Sequence, residues 1–331
     1  MNATKTKGRI LTGHRPTGPR HIGHLVGTLE QWAKMQDDYE CYFLIADLHV
    51  LTTDYEHPER IQENIINVVA DWLAAGIDAS KATLVRQSAL AQHAQLSQLF
   101  GMMTTVARLE RVPTYKDQIQ NLGLNPSLGL LAYPVLQSAD ILVYKANLVP
   151  VGEDQLPHIE LTREIARRFN TLYGETFPEP DGLLTKTARL PGVDNRTMHS
   201  SYNNAIRFIE SEEDTTKKVM SMYTDPTRLR ATDPGTVEGN PVFEYHDVFN
   251  PNKDEVEDFK TRYREGKVGD VEVKKSLAAA LNAYLRPIRE RRAEYLKDPA
   301  KVVKILDEGT EKARPLVEAT FDEVMRKMGL K

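Results

Sequence analysis

A single cysteine, Cys41, stands in the 331 residues, so no intrachain disulfide can form. It falls in the apolar run Cys41-Tyr-Phe-Leu-Ile-Ala46, where a thiol is expected to be inert core. Long hydrophobic runs are missing too, which excludes a membrane-spanning helix. The first residues, Met-Asn-Ala-Thr-Lys-Thr-Lys-Gly, have no apolar core of a signal peptide. A reducing cytoplasm is therefore the expected location. No internal repeat and no low-complexity tract interrupts the chain. A large excess of positive charge is also lacking: the net charge is −4. That excludes indiscriminate nucleic-acid binding through overall charge, although a local basic patch remains open. Arg286, Arg289, Arg291 and Arg292 are the candidates, and a solvated helix face explains them as readily.

What is present is an alternation of strand-like and helix-like segments in the first half. Strands are expected at Arg9–Leu11, Tyr42–Ala46, Thr83–Arg86 and Leu148–Val151. Ile61, Ile65, Val68, Val69, Trp72 and Leu73 form a helical apolar stripe, and Leu156 to Phe169 repeats the pattern. Alternation of this kind implies a parallel α/β sheet. The stretch Phe177-Pro-Glu-Pro-Asp-Gly182 breaks the pattern. Beyond Ser201 the chain is mostly helical, with segments at Glu255–Glu265, Val271–Tyr284 and Ala300–Arg326 and a loop at 233–241. An α/β nucleotide domain followed by a smaller helical domain is the expected architecture.

Three stretches carry chemistry. In Arg15-Pro-Thr-Gly-Pro-Arg-His-Ile-Gly-His24 a Gly/Pro turn joins a strand to a helix. His21 and His24 are three apart at the helix start and share a face. Unpaired N–H groups and the positive dipole end suit a phosphate there, and two imidazoles can donate to a triphosphate. A surface pair or a metal site are the bland readings of His-x-x-His. The second stretch is Tyr133-Pro-Val-Leu-Gln-Ser-Ala-Asp-Ile-Leu-Val-Tyr144. Its Asp140 lies in an apolar helical run, where an ionised carboxylate needs a donor. A helix cap or salt bridge would supply one, and so would a substrate. In the third, Gly152-Glu-Asp-Gln155 leaves a strand and enters a helix. Glycine permits close approach, and the acids can accept ribose hydroxyls.

His21-Ile-Gly-His24 resembles the ATP signature of class I aminoacyl-tRNA synthetases. Tyr133 through Asn170 closely resembles the bacterial-type tryptophanyl-tRNA synthetase family. The resemblance spans essentially the whole chain. It includes Ile45-Ala-Asp-Leu-His49, Leu109-Glu-Arg111, Tyr223-Thr-Asp-Pro226 and Leu285-Arg-Pro-Ile-Arg-Glu-Arg291. The tyrosyl enzymes are the sister family. Ala139-Asp-Ile-Leu142 with Val149-Pro-Val-Gly-Glu-Asp-Gln155 favours the tryptophan branch.

The resemblance implies a Rossmann-like catalytic domain over 1–205, a helical anticodon-binding domain over 206–293, and a C-terminal helix, 294–331, packed back on the first. It implies that Arg15, Pro16, Thr17, Gly23 and His24 hold ATP, with Gly152, Glu153 and Asp154 at its ribose and Leu190 at its adenine. Asp140 is the implied acceptor of the indole N–H. Tyr133, Gln137, Val149, Val151 and Leu11 are the implied pocket walls. His49 and Gln155 fall near the amino-acid head group and the reacting centre. The implied partners are L-tryptophan, ATP with Mg²⁺, tRNA(Trp) and a second copy of the chain, with no bound metal site and no membrane. A buried carboxylate reading an indole N–H rejects phenylalanine by roughly 10⁴–10⁵.

One motif departs from the family. The Lys-Met-Ser-Lys-Ser loop is replaced by Thr197-Met-His-Ser-Ser201, aligned by Met198, Ser201 and the following Tyr202-Asn203. Thr197 and Ser200 stand where the lysines would, and His199 where a serine would. Removing one donor of developing charge costs about 10²–10³ in rate. His199, Arg196 and Mg²⁺ can compensate. The expectation is a tryptophanyl-tRNA synthetase with slowed activation. The rivals are a tyrosyl enzyme and a degenerate paralogue acting through an unidentified protein partner. Gln137, methionine in some relatives, is expected to alter tolerance for substituted indoles.

Overall fold

The computed structural model describes residues 7–122, 126–184, 190–198, 204–228, 230 and 232–331. Five parallel strands form one sheet: β1 (Arg9–His14), β2 (Glu40–Ile45), β3 (Thr83–Arg86), β4 (Leu148–Val151) and β5 (Asp181–Leu184). Their order is β3-β2-β1-β4-β5, as in a Rossmann-like fold. The expected α/β class is met, and four of the strands coincide with the apolar segments named above. Strand β5 was not expected, because its Asp181-Gly182 start follows the Pro-rich break. It pairs with β4 from Leu148↔Asp181 to Val151↔Leu184.

Local sequence explains the tight centre of the sheet. A Cβ on Gly13 would meet the Leu44 carbonyl oxygen at 2.1 Å, so only glycine lets β1 lie against β2 there. Trp32, Phe43 and Trp72 are fully buried nearby, with Trp32 and Phe43 stacked at 5.1 Å.

The described residues divide into two compact units. One comprises Met1–Gly18, Gln31–Lys186 and Asp298–Lys331; the other, Pro19–Glu30 and Thr187–Lys297. In the first, the helices Ile61–Ala74, Gln92–Gly101, Leu128–Val143 and Leu156–Tyr173 alternate with the strands. The Pro299–Lys327 helix crosses β3, an edge strand. Gly309 lets it approach, since a Cβ there would lie 2.1 Å from the Leu84 oxygen. Thr310 Oγ1 then accepts the Arg86 N–H at 3.0 Å. An edge strand covered in this way cannot recruit a foreign one.

The second unit is helical: Glu212–Met220, Pro241–Phe249, Lys253–Arg264 and Asp270–Leu296. Buried Arg228 is sandwiched there, 4.0 Å over the Tyr263 ring and 3.1 Å from Asp270. Residues 19–30 join this unit through backbone pairing: Ile22 N–H donates to Ile206 O at 2.9 Å and Phe208 N–H to Arg20 O at 3.1 Å. His21–His24, the end of the first stretch, therefore shares one compact unit with Thr197 and Met198 of the departing loop.

Candidate active site

The sheet order reverses between β1 and β4, and ligands of such sheets bind beyond the carboxyl ends of the strands at that point. The chemistry-bearing residues of the first unit cluster at these ends. Arg15 follows β1, His49 follows β2, Gln87 follows β3, and Gly152–Asp154 follow β4.

Asp140 is the centre of the arrangement. It is 3% exposed, on a helix capped by Ser127. Its Oδ1 accepts from Gln87 Nε2 at 2.8 Å and pairs with His93 Nδ1 at 2.7 Å. Its Oδ2 accepts from Gln87 Nε2 at 2.8 Å and pairs with His49 Nε2 at 2.8 Å. Burial pushes the carboxyl up, but the hydrogen bonds from His49 and His93 outweigh it and hold Asp140 below the usual carboxylate range. The carboxylate is thus ionised and fully engaged.

The supporting residues are themselves fixed. Gln87 Oε1 accepts the Leu48 N–H at 3.0 Å, which turns the amide nitrogen toward Asp140, where it bridges both oxygens. His93 Nε2 lies 3.1 Å from the Tyr144 hydroxyl. Burial first, then the charge of Asp140, keeps that phenol protonated well beyond its usual range. Tyr144 donating to Nε2, with His93 Nδ1–H donating to Asp140, satisfies every atom.

Leu11, Val149 and Val151 are buried in one apolar cluster, with Tyr133 packed against it. Gln137, on the helix of Asp140, is half-buried. Tyr133 and Thr114 hydroxyls are 2.5 Å apart, and Thr114 Oγ1 lies 2.7 Å from His158 Nε2. Burial pushes His158 down to about 4, so it is neutral. Tyr133 is pushed up by burial, against the pull of Thr114 and the Arg15 charge. Arg15 also bonds the Thr53 hydroxyl. Pro16 is buried, Thr17 exposed, and the Thr17 N–H closes the turn on Arg15 O at 2.9 Å.

After β4, a Cβ on Gly152 would meet Asp154 Oδ1 at 2.7 Å, so glycine makes room for that carboxylate. Glu153 and Asp154 are exposed, and Gln155 Nε2 donates to Asp154 Oδ2 at 2.8 Å.

In the second unit, the His21 and His24 rings lie 3.8 Å apart, as one shared face requires. Ile22–His24 continues into a π-wound Leu25–Leu29, a form that recurs at functional sites. A Cβ on Gly23 would sit 3.0 Å from both the His21 ring and Met198 Sδ, so the first stretch meets the departing loop at Met198. Leu190 is buried. The base of the loop is held by Asn204 Nδ2, which donates to Asp194 Oδ1 at 2.9 Å and to Thr197 O at 3.1 Å. Thr197 is exposed and Met198 half-buried. His199, Ser200 and Ser201 lie outside the described residues.

Sequence reasoning missed Gln87, His93, Tyr144, Thr114 and His158. Only the position of Gln87, a polar residue just past an apolar strand, offered a signal. His49 is found on Asp140, as one of its three donors. Among the described residues no group of three or more His, Cys, Asp or Glu could hold a metal ion.

The pattern for tRNA synthetases class I (W and Y) matches residues 3–286. The tryptophan–tRNA ligase of Treponema pallidum (strain Nichols) is 50% identical over 330 residues, 97% of each chain. That of Chlamydia caviae is 49% identical, over 96% of this chain and 94% of its own. The crystal structure of tryptophanyl-tRNA synthetase from Campylobacter jejuni, complexed with ADP and tryptophan, is 33% identical. It superposes with a TM-score of 0.88, over 97% of this chain and all of that one.

Proposed function

The chain belongs to the tryptophanyl-tRNA synthetases, and from that premise we propose how its residues divide the work. The enzyme activates L-tryptophan with ATP and transfers it to tRNA(Trp). The tryptophan carboxylate attacks the α-phosphorus of ATP, pyrophosphate leaves, and the adenylate is held. A ribose hydroxyl of the terminal adenosine then takes the aminoacyl group and releases AMP. The protein acts by positioning and by stabilising charge.

Asp140 accepts the indole N–H, between walls formed by Leu11, Tyr133, Gln137, Val149 and Val151. The carrying observation is the buried, ionised carboxylate held by His49 and Gln87, the residues that follow β2 and β3. His49 is near enough to that carboxylate to be assigned to the indole end of the pocket. Gln155 serves the head group. Arg15, Pro16, Thr17, Gly23 and His24 receive ATP, whose phosphates carry Mg²⁺ as part of the substrate. Gly152, Glu153 and Asp154 take its ribose, and Leu190 meets adenine. His21, His24 and the Thr197–Ser201 loop stabilise departing pyrophosphate, with the two lysine positions vacated.

Residues 206–293, part of the second unit, read the anticodon, and the catalytic residues come from 1–205, with 294–331 as the returning C-terminal segment. Exposed Met102, Val106 and Leu128 supply apolar surface for a homodimer. Its site of action is the cytoplasm; no described helix is long and apolar enough to cross a membrane. No observation favours the partner-dependent paralogue. Charging of a tRNA(Trp) transcript with labelled tryptophan, and none with tyrosine, is the expected result with purified protein. Charging with tyrosine would overturn the pocket assignment.

A further inference from the structure

A carboxylate offers about four lone-pair directions. All four on Asp140 meet protein donors: Gln87 and His93 at Oδ1, Gln87 and His49 at Oδ2. An incoming indole N–H therefore finds no vacant acceptor and has to replace one donor.

The three donors are not equally replaceable. Gln87 is 0% exposed, and its carbonyl is tied to the Leu48 N–H, so moving it would break three hydrogen bonds. His93 is 0% exposed and is held from its other nitrogen by Tyr144. His49 is 8% exposed, and its bond to Asp140 is its one side-chain hydrogen bond among the described residues. It rides on Asp47–Val50, a single helical turn that follows β2.

We propose that His49 is the replaceable donor, and that the indole N–H takes its place on Asp140 Oδ2 while Gln87 and His93 stay. This rests on the reading that Asp140 receives the indole. His49 keeps a buried charge paired, which would otherwise carry a large penalty. Tryptophan entry is then an exchange of one donor for another. A ring of similar shape with no N–H has nothing to exchange, so selectivity acts on entry.

The test uses the wild-type protein with ¹⁵N-labelled histidine, followed through ring N–H resonances by NMR. The His49 and His93 signals are assigned by loss in His49→Gln and His93→Gln. Binding of tryptophan is compared with that of an analogue whose ring N–H is replaced by sulfur. The expected result has three parts: the analogue binds at least 100-fold more weakly, the His49 Nε2–H signal is lost at saturating tryptophan, and the His93 Nδ1–H signal persists. Weaker analogue binding with the His49 signal intact would leave the Asp140 reading standing and overturn the exchange. Loss of the His93 signal in place of the His49 signal would overturn it too. Equal binding of tryptophan and analogue would refute the Asp140 reading itself.

Discussion

Replacing Gln87 by leucine removes the one residue that touches both oxygens of Asp140. A hydrogen bond to a buried charge is lost, shared between both oxygens at 2.8 Å each. The Leu48 N–H loses its acceptor as well. Hydrogen bonds to charged groups contribute about 1.5–3 kcal/mol each, and an orphaned buried donor costs about 1–3 kcal/mol. Breaking a buried charged pair from one side typically costs about 3–5 kcal/mol. The expected destabilisation of Gln87→Leu is therefore about 3–5 kcal/mol, a large share of the roughly 5–15 kcal/mol of a native domain. Trp32 and Trp72, the two tryptophans of the chain, are both buried in the α/β unit. Their fluorescence during urea unfolding reads that unit directly. Gln87→Glu sharpens the test. It keeps the shape but sets two carboxylates together, so its loss should shrink as pH falls and one of them protonates. A change below about 0.5 kcal/mol for Gln87→Leu would refute the Asp140 network as a source of stability.

Other consequences are as specific. His158 has its folded pKa pushed down to about 4 from 6.5. The unfolded chain therefore binds the extra proton first, and stability is lost as pH falls from 6.5 to about 4, by about 3 kcal/mol in all. Chemical denaturation across that range should show this slope, and His158→Gln should lack it. Gly309→Ala would gain about 1 kcal/mol in an ordinary helix. Here its Cβ meets the Leu84 oxygen, so a loss of about 1–3 kcal/mol is expected in thermal unfolding. Thr197→Lys with Ser200→Lys should raise the adenylate-forming rate at least tenfold in single-turnover kinetics, given about 10²–10³ for one donor of developing charge. An unchanged rate would mean that neighbouring groups already supply that charge.

The sheet was legible because buried parallel strands are short apolar runs, and β1 to β4 are such runs. Strand β5 was not, because Pro178, Pro180 and Gly182 are turn residues and only pairing with β4 makes Asp181–Leu184 a strand. Asp140 was visible as a charge in an apolar helix. Its donors were not, since Gln87 and His93 lie 53 and 47 residues away and meet it only through the fold. His49 was expected near the head group, and its bond to the Asp140 carboxylate was not signalled by the motif. The tie between Gly23 and Met198 was hidden for the same reason, with 19–30 grouped by backbone pairing with a segment far along the chain.

Exchange of labelled pyrophosphate into ATP, with purified protein and each amino acid in turn, tests the central claim most directly. Exchange that depends on tryptophan and is absent with tyrosine is predicted, at a rate limited by the vacated lysine positions. No exchange while tryptophan still binds would contradict an adenylate-forming enzyme, and exchange with tyrosine would contradict the pocket built on Asp140.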